Sequence, residues 1–196
     1  MSAAWLAAIA SIATLVVIGA TAVAALVQVR HMRSSNQIVA LNEIRETIES
    51  EFFRETSAHV MKTLPALLKD PAIRGEIVAG TPITAIQELI PVRTLANLFE
   101  VMGTFVKRGM VDRDLACDIW ATIVLTNWDA VAPLISNLRV AYDNGAIWEN
   151  FEYLAVLSRN FYDKYPNGTY PKGMAREKMP EIWPELKSQA QKKRAS

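Results

Sequence analysis

The sequence has only one cysteine and two histidines. Cys117 has no partner for an intramolecular disulfide, and it sits in an apolar helical stretch where a free thiol packs as a small hydrophobe. His31 and His59 are isolated from each other and from Cys117, so no pair has the spacing of a zinc or haem site. No metal and no cofactor are expected. A G-x-S-x-G nucleophile elbow, a Walker loop and a dinucleotide glycine fingerprint are also missing, which lowers the expectation of an enzyme without excluding one. There is no run of alternating apolar and polar residues long enough for a strand, and no internal repeat. Neither sign of charge dominates: 21 Lys and Arg face 20 Asp and Glu, a net +1. Residues 172–196 hold seven basic and three acidic side chains, a net +4, so the remaining chain carries −3. A mildly acidic body has no basic face with which to displace counterions from phosphates, and no nucleic-acid partner is expected.

What the sequence does have is one long hydrophobic run, Trp5 to Val29, which ends abruptly at Arg30, His31 and Arg33. As a helix it would extend about 37 Å, enough to cross a hydrocarbon core about 30 Å thick with some tilt. A cleaved signal peptide has a basic start and a shorter apolar core, whereas Met1 to Leu6 contain no Lys or Arg. The run therefore reads as a retained single-pass anchor, with the lipid bilayer as its partner. Arg30 and Arg33 follow the span and nothing basic precedes it. The positive-inside rule then places the N-terminus outside and the C-terminal domain in the cytoplasm, at the cell (inner) membrane.

The rest divides into a juxtamembrane helix (34–64), a helical bundle domain (65–165) and a basic, proline-containing tail (166–196), after an anchor at 1–33. The expected fold is all-α: one transmembrane helix followed by a compact bundle of about five helices. Ser35 or Asn36 suits a helix N-cap, opening a long helix to about Val60; alternatively, the helix runs straight on from the anchor. Ile38, Leu41, Ile44 or Arg45, Ile48 and Phe52 mark a seam close to a 3.5-residue repeat. That seam suits either a coiled coil between copies or packing onto the chain's own domain. Pro65 is expected to end or kink the helix. Gly80 ends a short piece from Pro71, and Thr81-Pro82 reads as a further helix start. Residues 92–108 are strongly amphipathic, with Val92, Leu95, Leu98, Phe99, Met102, Phe105 and Val106 on one side. Gly109 closes that helix and Asp112 caps the next, whose stretch from Leu115 to Leu138 is apolar on nearly every face, as a central buried helix would be. Asp118, Asn127, Asp129 and Pro133 argue against a second span there. Asp143-Asn144-Gly145 is a turn, and a last helix runs from Ala146 to about Lys164. Prolines and glycines then forbid a long helix until about Glu185, leaving a tail with Trp183 as its anchor point.

The most suggestive polar set is Asn97, Glu100 and Thr104 on one helix, with Glu149, Asn150 and Glu152 flanking Trp148 on another. Were the two helices to face each other, these side chains would line a groove in which paired carboxylates do acid–base work or hold a divalent ion. The plainer alternative is a solvated face with local ion pairs. Lys192-Lys193-Arg194 offers contact with anionic lipid, or simply a solvated end. Asn167-Gly168-Thr169 fits a glycosylation triplet, but on the side expected to be cytoplasmic.

The stretch Asn97-Leu98-Phe99-Glu100-Val101-Met102-Gly103, followed by Gly109-Met110-Val111-Asp112 and Trp120, resembles a bacterial family known only as a domain of unknown function. Trp148-Glu149-Asn150-Phe151-Glu152-Tyr153-Leu154 is similar to a late element of the same family. The resemblance covers roughly residues 35–160 and implies a short, membrane-anchored, all-helical protein; it transfers no activity and no catalytic residue. The function expected is a membrane-anchored interaction or regulatory module that binds a protein partner or a second copy. The alternatives are a membrane-tethered enzyme, such as a metal-dependent hydrolase, and an accessory subunit of a larger membrane complex.

Overall fold

The computed structural model describes residues 3–178, 180, 183, 184 and 186, and every regular element among them is helical. The helices are α1 (Ala3–Glu49), α2 (Glu51–Leu67), α3 (Pro71–Val78), α4 (Ile90–Lys107), α5 (Arg113–Ala141) and α6 (Glu149–Lys164), with a 3₁₀ turn at Gln87–Leu89. The all-α expectation holds. Two compact units result, Met1–Lys164 and Tyr165–Ser196.

Neither Ser35 nor Asn36 caps a helix. The chain passes through both without a break, the second of the two alternatives, and α1 continues to Glu49. The expected run to Val60 is instead interrupted at Ser50. Its main chain is extended (ψ 148°), and its Oγ accepts the N–H of Phe53 at 3.1 Å while donating to the Thr47 carbonyl at 2.7 Å. This capped break turns Phe53 into the core, 4% exposed, and leaves Phe52 outside, 65% exposed. The buried row on α1 is Ala40, Ile44 and Ile48, four residues apart. Ile38 and Phe52, two of the expected seam positions, lie off it and face solvent. The lower part of α1 thus packs on its own domain.

Two proline expectations also change. α2 does not stop at Pro65 but runs two residues further, to Leu67. Thr81-Pro82 starts no α-helix. Thr81 instead completes the stop of α3, its N–H reaching the Glu76 carbonyl at 3.0 Å past Gly80 at φ +76°, and its hydroxyl goes to the Glu76 carboxylate. Only the 3₁₀ turn follows, burying Ile86 and Leu89 ahead of Pro91 in the first turn of α4.

The core is closed by one aromatic side chain from each of four helices. Phe99 of α4 stacks on Phe151 of α6 at 4.5 Å between centroids, Phe53 of α2 meets Phe99 edge-on at 5.9 Å, and Trp128 of α5 meets Phe151 edge-on at 5.1 Å. α5 is buried along its length through Trp120, Val124, Val131, Leu134 and Leu138. Asp112 caps it as expected, accepting the Leu115 N–H at 2.9 Å. By length and composition, Ser11–Val29, Gln87–Lys107 and Arg113–Ala141 are each apolar enough to cross a membrane. They differ in cover: 44% of each of the last two windows is buried inside the bundle, and none of the first.

In the second unit Arg176 sits over the Tyr170 ring at 4.8 Å and donates to the Asn167 carbonyl, closing a small turn. Trp183 is 74% exposed. Lys192-Lys193-Arg194 lies outside the described residues.

Candidate functional site

Asn97, Glu100, Gly103, Thr104 and Lys107 recur every three or four residues along α4, so they share one side of it. That side meets the start of α6, whose first-turn N–H groups have no partner within their own helix. The residue before α6 is Trp148, whose side chain has no oxygen with which to cap. Glu100 caps from the neighbouring helix instead. Its Oε2 accepts the main-chain N–H groups of Asn150 and Phe151, both at 3.0 Å, and its Oε1 accepts the Asn150 side-chain amide at 2.6 Å. A carboxylate here also lies at the positive end of the helix dipole.

Three further contacts lock the junction. Asn97 accepts the indole N–H of Trp148 at 2.8 Å, holding that residue at φ +51°, a conformation that costs a bulky L-residue about 1–2 kcal/mol. Lys107 donates to Glu149 at 3.1 Å and to the Asn150 side-chain oxygen at 3.0 Å. Gly103 brings the two backbones together: a Cβ there would stand 2.0 Å from the Asn150 carbonyl oxygen.

Of the five candidate polar residues, the structure therefore brings Asn97, Glu100 and Glu149 to one junction. Glu152 turns away to Arg139 of α5, at 2.6 Å, while the Arg139 Nε donates to the Ile147 carbonyl. Thr104 donates to the Glu100 main-chain carbonyl within its own helix. Each polar side chain is spent on a protein partner. The Glu100 carboxylate spends three of its roughly four acceptor sites on N–H groups, and the described residues contain no group of three or more His, Cys, Asp or Glu placed to hold a metal ion. What the arrangement does is join α4, α5 and α6.

The sequence reasoning placed Asn150 in the polar set but missed Lys107 and Arg139 as the partners of Glu149 and Glu152, and Gly103 as the point of close approach. One signal was available for Gly103: a lone glycine inside a strongly amphipathic helix usually marks a close approach.

Open grooves lie elsewhere: one of about 480 Å³ between α3 and α5, lined by Ile73, Ile77, Val78 and Val140, and others on the two flanks of α1. On one flank a groove of about 360 Å³ runs between the α1–α2 corner and α4, floored by Phe53 and Leu95 and edged by Phe52 and Val101. A smaller one of about 150 Å³ shares Thr47, Leu98 and Val101 with it and continues to Phe105. On the other flank Arg45, Ile48 and Glu49 face Ile119, Trp120 and Ile123 of α5 across about 490 Å³. Ser57 and Asn127, hydrogen-bonded at 2.7 Å and both buried, also line that cavity. Glu100, Glu149 and Glu152 line none of these grooves.

Cys117 is buried against α6. Burial pushes its thiol pKa up, Asp114 and Asp112 add to the shift, and a hydrogen bond with Ser158 opposes it. At neutral pH it is a protonated, covered thiol, the opposite of an activated nucleophile.

A family model described as Domain of unknown function (DUF4760) matches residues 14–157, from within the apolar part of α1 to within α6. The two stretches that carried the resemblance in sequence, around Asn97–Gly103 and Trp148–Leu154, are the two sides of the α4–α6 junction. No curated protein and no solved structure matches the chain.

Proposed function

The chain belongs to the DUF4760 family, a domain of unknown function, and from that premise we propose that it is a membrane-anchored helical module that works by binding a protein partner or a second copy. Ser11–Val29 is the span, with the N-terminus outside and the bundle on the cytoplasmic face of the inner membrane, as Arg30 and Arg33 indicate. One observation carries the reading. The window Ser11–Val29 is apolar and wholly uncovered, yet it belongs to the same unbroken helix that seats Ala40, Ile44 and Ile48 in the core. A naked apolar helix about 28 Å long is not stable in water, and a bilayer is the environment that suits it. The other two apolar helices do not need one, since their buried side chains build the bundle core.

Binding is favoured over catalysis because Glu100, Glu149 and Glu152 are engaged by partners on neighbouring helices, while apolar side chains such as Phe52, Val78, Val101 and Val140 stay exposed. Flotation of the full chain with liposomes after an alkaline carbonate wash tests the anchor, and recovery in the supernatant would refute it. Protease protection of the bundle in inside-out vesicles would refute the orientation. Light scattering in mild detergent then separates self-association, read as a dimer mass, from a monomer that needs a different partner.

A further inference from the structure

The path between membrane and bundle has the form of a strut. No glycine or proline occurs between Ala20 and Leu64, and α1 passes from Ser11–Val29 to the buried Ala40 without a break. The eleven helical steps from Val29 to Ala40 span about 16 Å. At the far end the helix is held in two ways: Ala40, Ile44 and Ile48 form a single ridge buried in the bundle, and Ser50 caps the corner into α2. We propose that α1 is a stiff connector that fixes both the height and the rotational phase of the bundle relative to its membrane span. This rests on the anchor reading above and adds to it a statement about mechanics.

The consequence is geometric. Every residue of a helix turns the chain by about 100°, so each face of the span stays aligned with one flank of the bundle. The groove beside Glu43, Ile44 and Thr47 and the cavity beside Arg45, Ile48 and Glu49 therefore sit at set bearings around the anchor. Tilt or rotation of the span arrives at Ala40, Ile44 and Ile48, in the core, rather than being lost in a loose linker. A flexible tether of equal length would instead let the bundle sample all bearings.

The test measures distances in the full chain by pulsed electron spin resonance, in floated proteoliposomes and in mild detergent. Nitroxides are placed at Met32→Cys on the strut and Asn137→Cys on α5, both exposed; Cys117 is buried and stays unlabelled. The expected result is one narrow distance peak in both environments, which broadens at least twofold when residues 34–37 are replaced by four glycines. Ile44→Asp, which unseats the ridge, broadens it as well. A broad distribution in the parent protein, or a width unchanged by the glycines, overturns the proposal. A chain that fails to float defeats the anchor reading alone, because the width in detergent still decides whether α1 is stiff.

Discussion

Gly103 and Asn150 approach so closely that there is no room between them for a methyl group. A Cβ at position 103 would stand 2.0 Å from the Asn150 carbonyl oxygen, and because that oxygen belongs to the main chain, no side chain can rotate away to relieve the clash. Gly103→Ala must push α4 and α6 apart, and with them the Phe99–Phe151 stack. We expect a loss of about 3 kcal/mol or more. Urea unfolding followed by far-UV circular dichroism in mild detergent checks it. A variant as stable as the parent would mean that the helices do not meet here.

Glu100 is the cap that α6 cannot supply for itself. Glu100→Ala strands the Asn150 and Phe151 N–H groups, and we expect it to cost about 2–4 kcal/mol. Glu100→Gln keeps one oxygen for the two main-chain donors, but it loses the charge at the helix end and turns an NH₂ toward the Asn150 amide. A smaller loss, about 1–2 kcal/mol, is expected. The ordering Ala below Gln below Glu in the same unfolding experiment is the signature of a cap. A catalytic or metal-binding carboxylate at the surface would show little stability change in either variant.

Cys117 reports the integrity of the bundle. Its folded pKa is raised, so folding favours the protonated thiol. That contribution is fully present below the unfolded pKa, about 8.5, and is lost as pH climbs from there through the folded value. Cys117→Ala has no such group, so its stability should fall less than the parent's above about pH 8.5 and should run parallel to it between pH 6 and 8. Labelling by a thiol reagent at neutral pH should occur only through unfolding, with a rate that rises with urea. Rapid labelling in native buffer would contradict the burial.

Most of the helices were legible because their signals are local. Asp112 as a cap, Gly80 and Gly109 as helix stops, and the amphipathic stripe from Val92 to Val106 each depend on residues within a few positions, and all appear in the structure. The misreadings share another cause. Ser50 breaks a helix in which Glu51, Phe52 and Phe53 look as helical as their neighbours, and only the demand of the core for Phe53 decides the break. The polar set at Asn97, Glu100 and Glu149 was visible as a cluster, but its purpose depended on Gly103 and Lys107 meeting Asn150 from more than forty positions away. Local patterns carry no information about such pairings.

Ser57 and Asn127 form another pairing that only the tertiary fold reveals. Ser57 lies on α2 and Asn127 on α5, both buried, and the Ser57 hydroxyl donates to the Asn127 side-chain oxygen at 2.7 Å while the Asn127 amide donates to the Ile123 carbonyl at 2.8 Å. Ser57→Ala removes one partner and leaves a buried acceptor alone, which should cost about 1–3 kcal/mol. Replacing both, as Ser57→Ala with Asn127→Leu, removes the stranded group and fills part of its space with carbon. Because a buried polar group is expensive chiefly when unpaired, the double variant should be more stable than Ser57→Ala alone, by about 1 kcal/mol or more. A double variant that merely sums the two single losses would mean that water in the adjoining cavity already satisfies these groups, and that the pair contributes nothing to how α2 and α5 are held together.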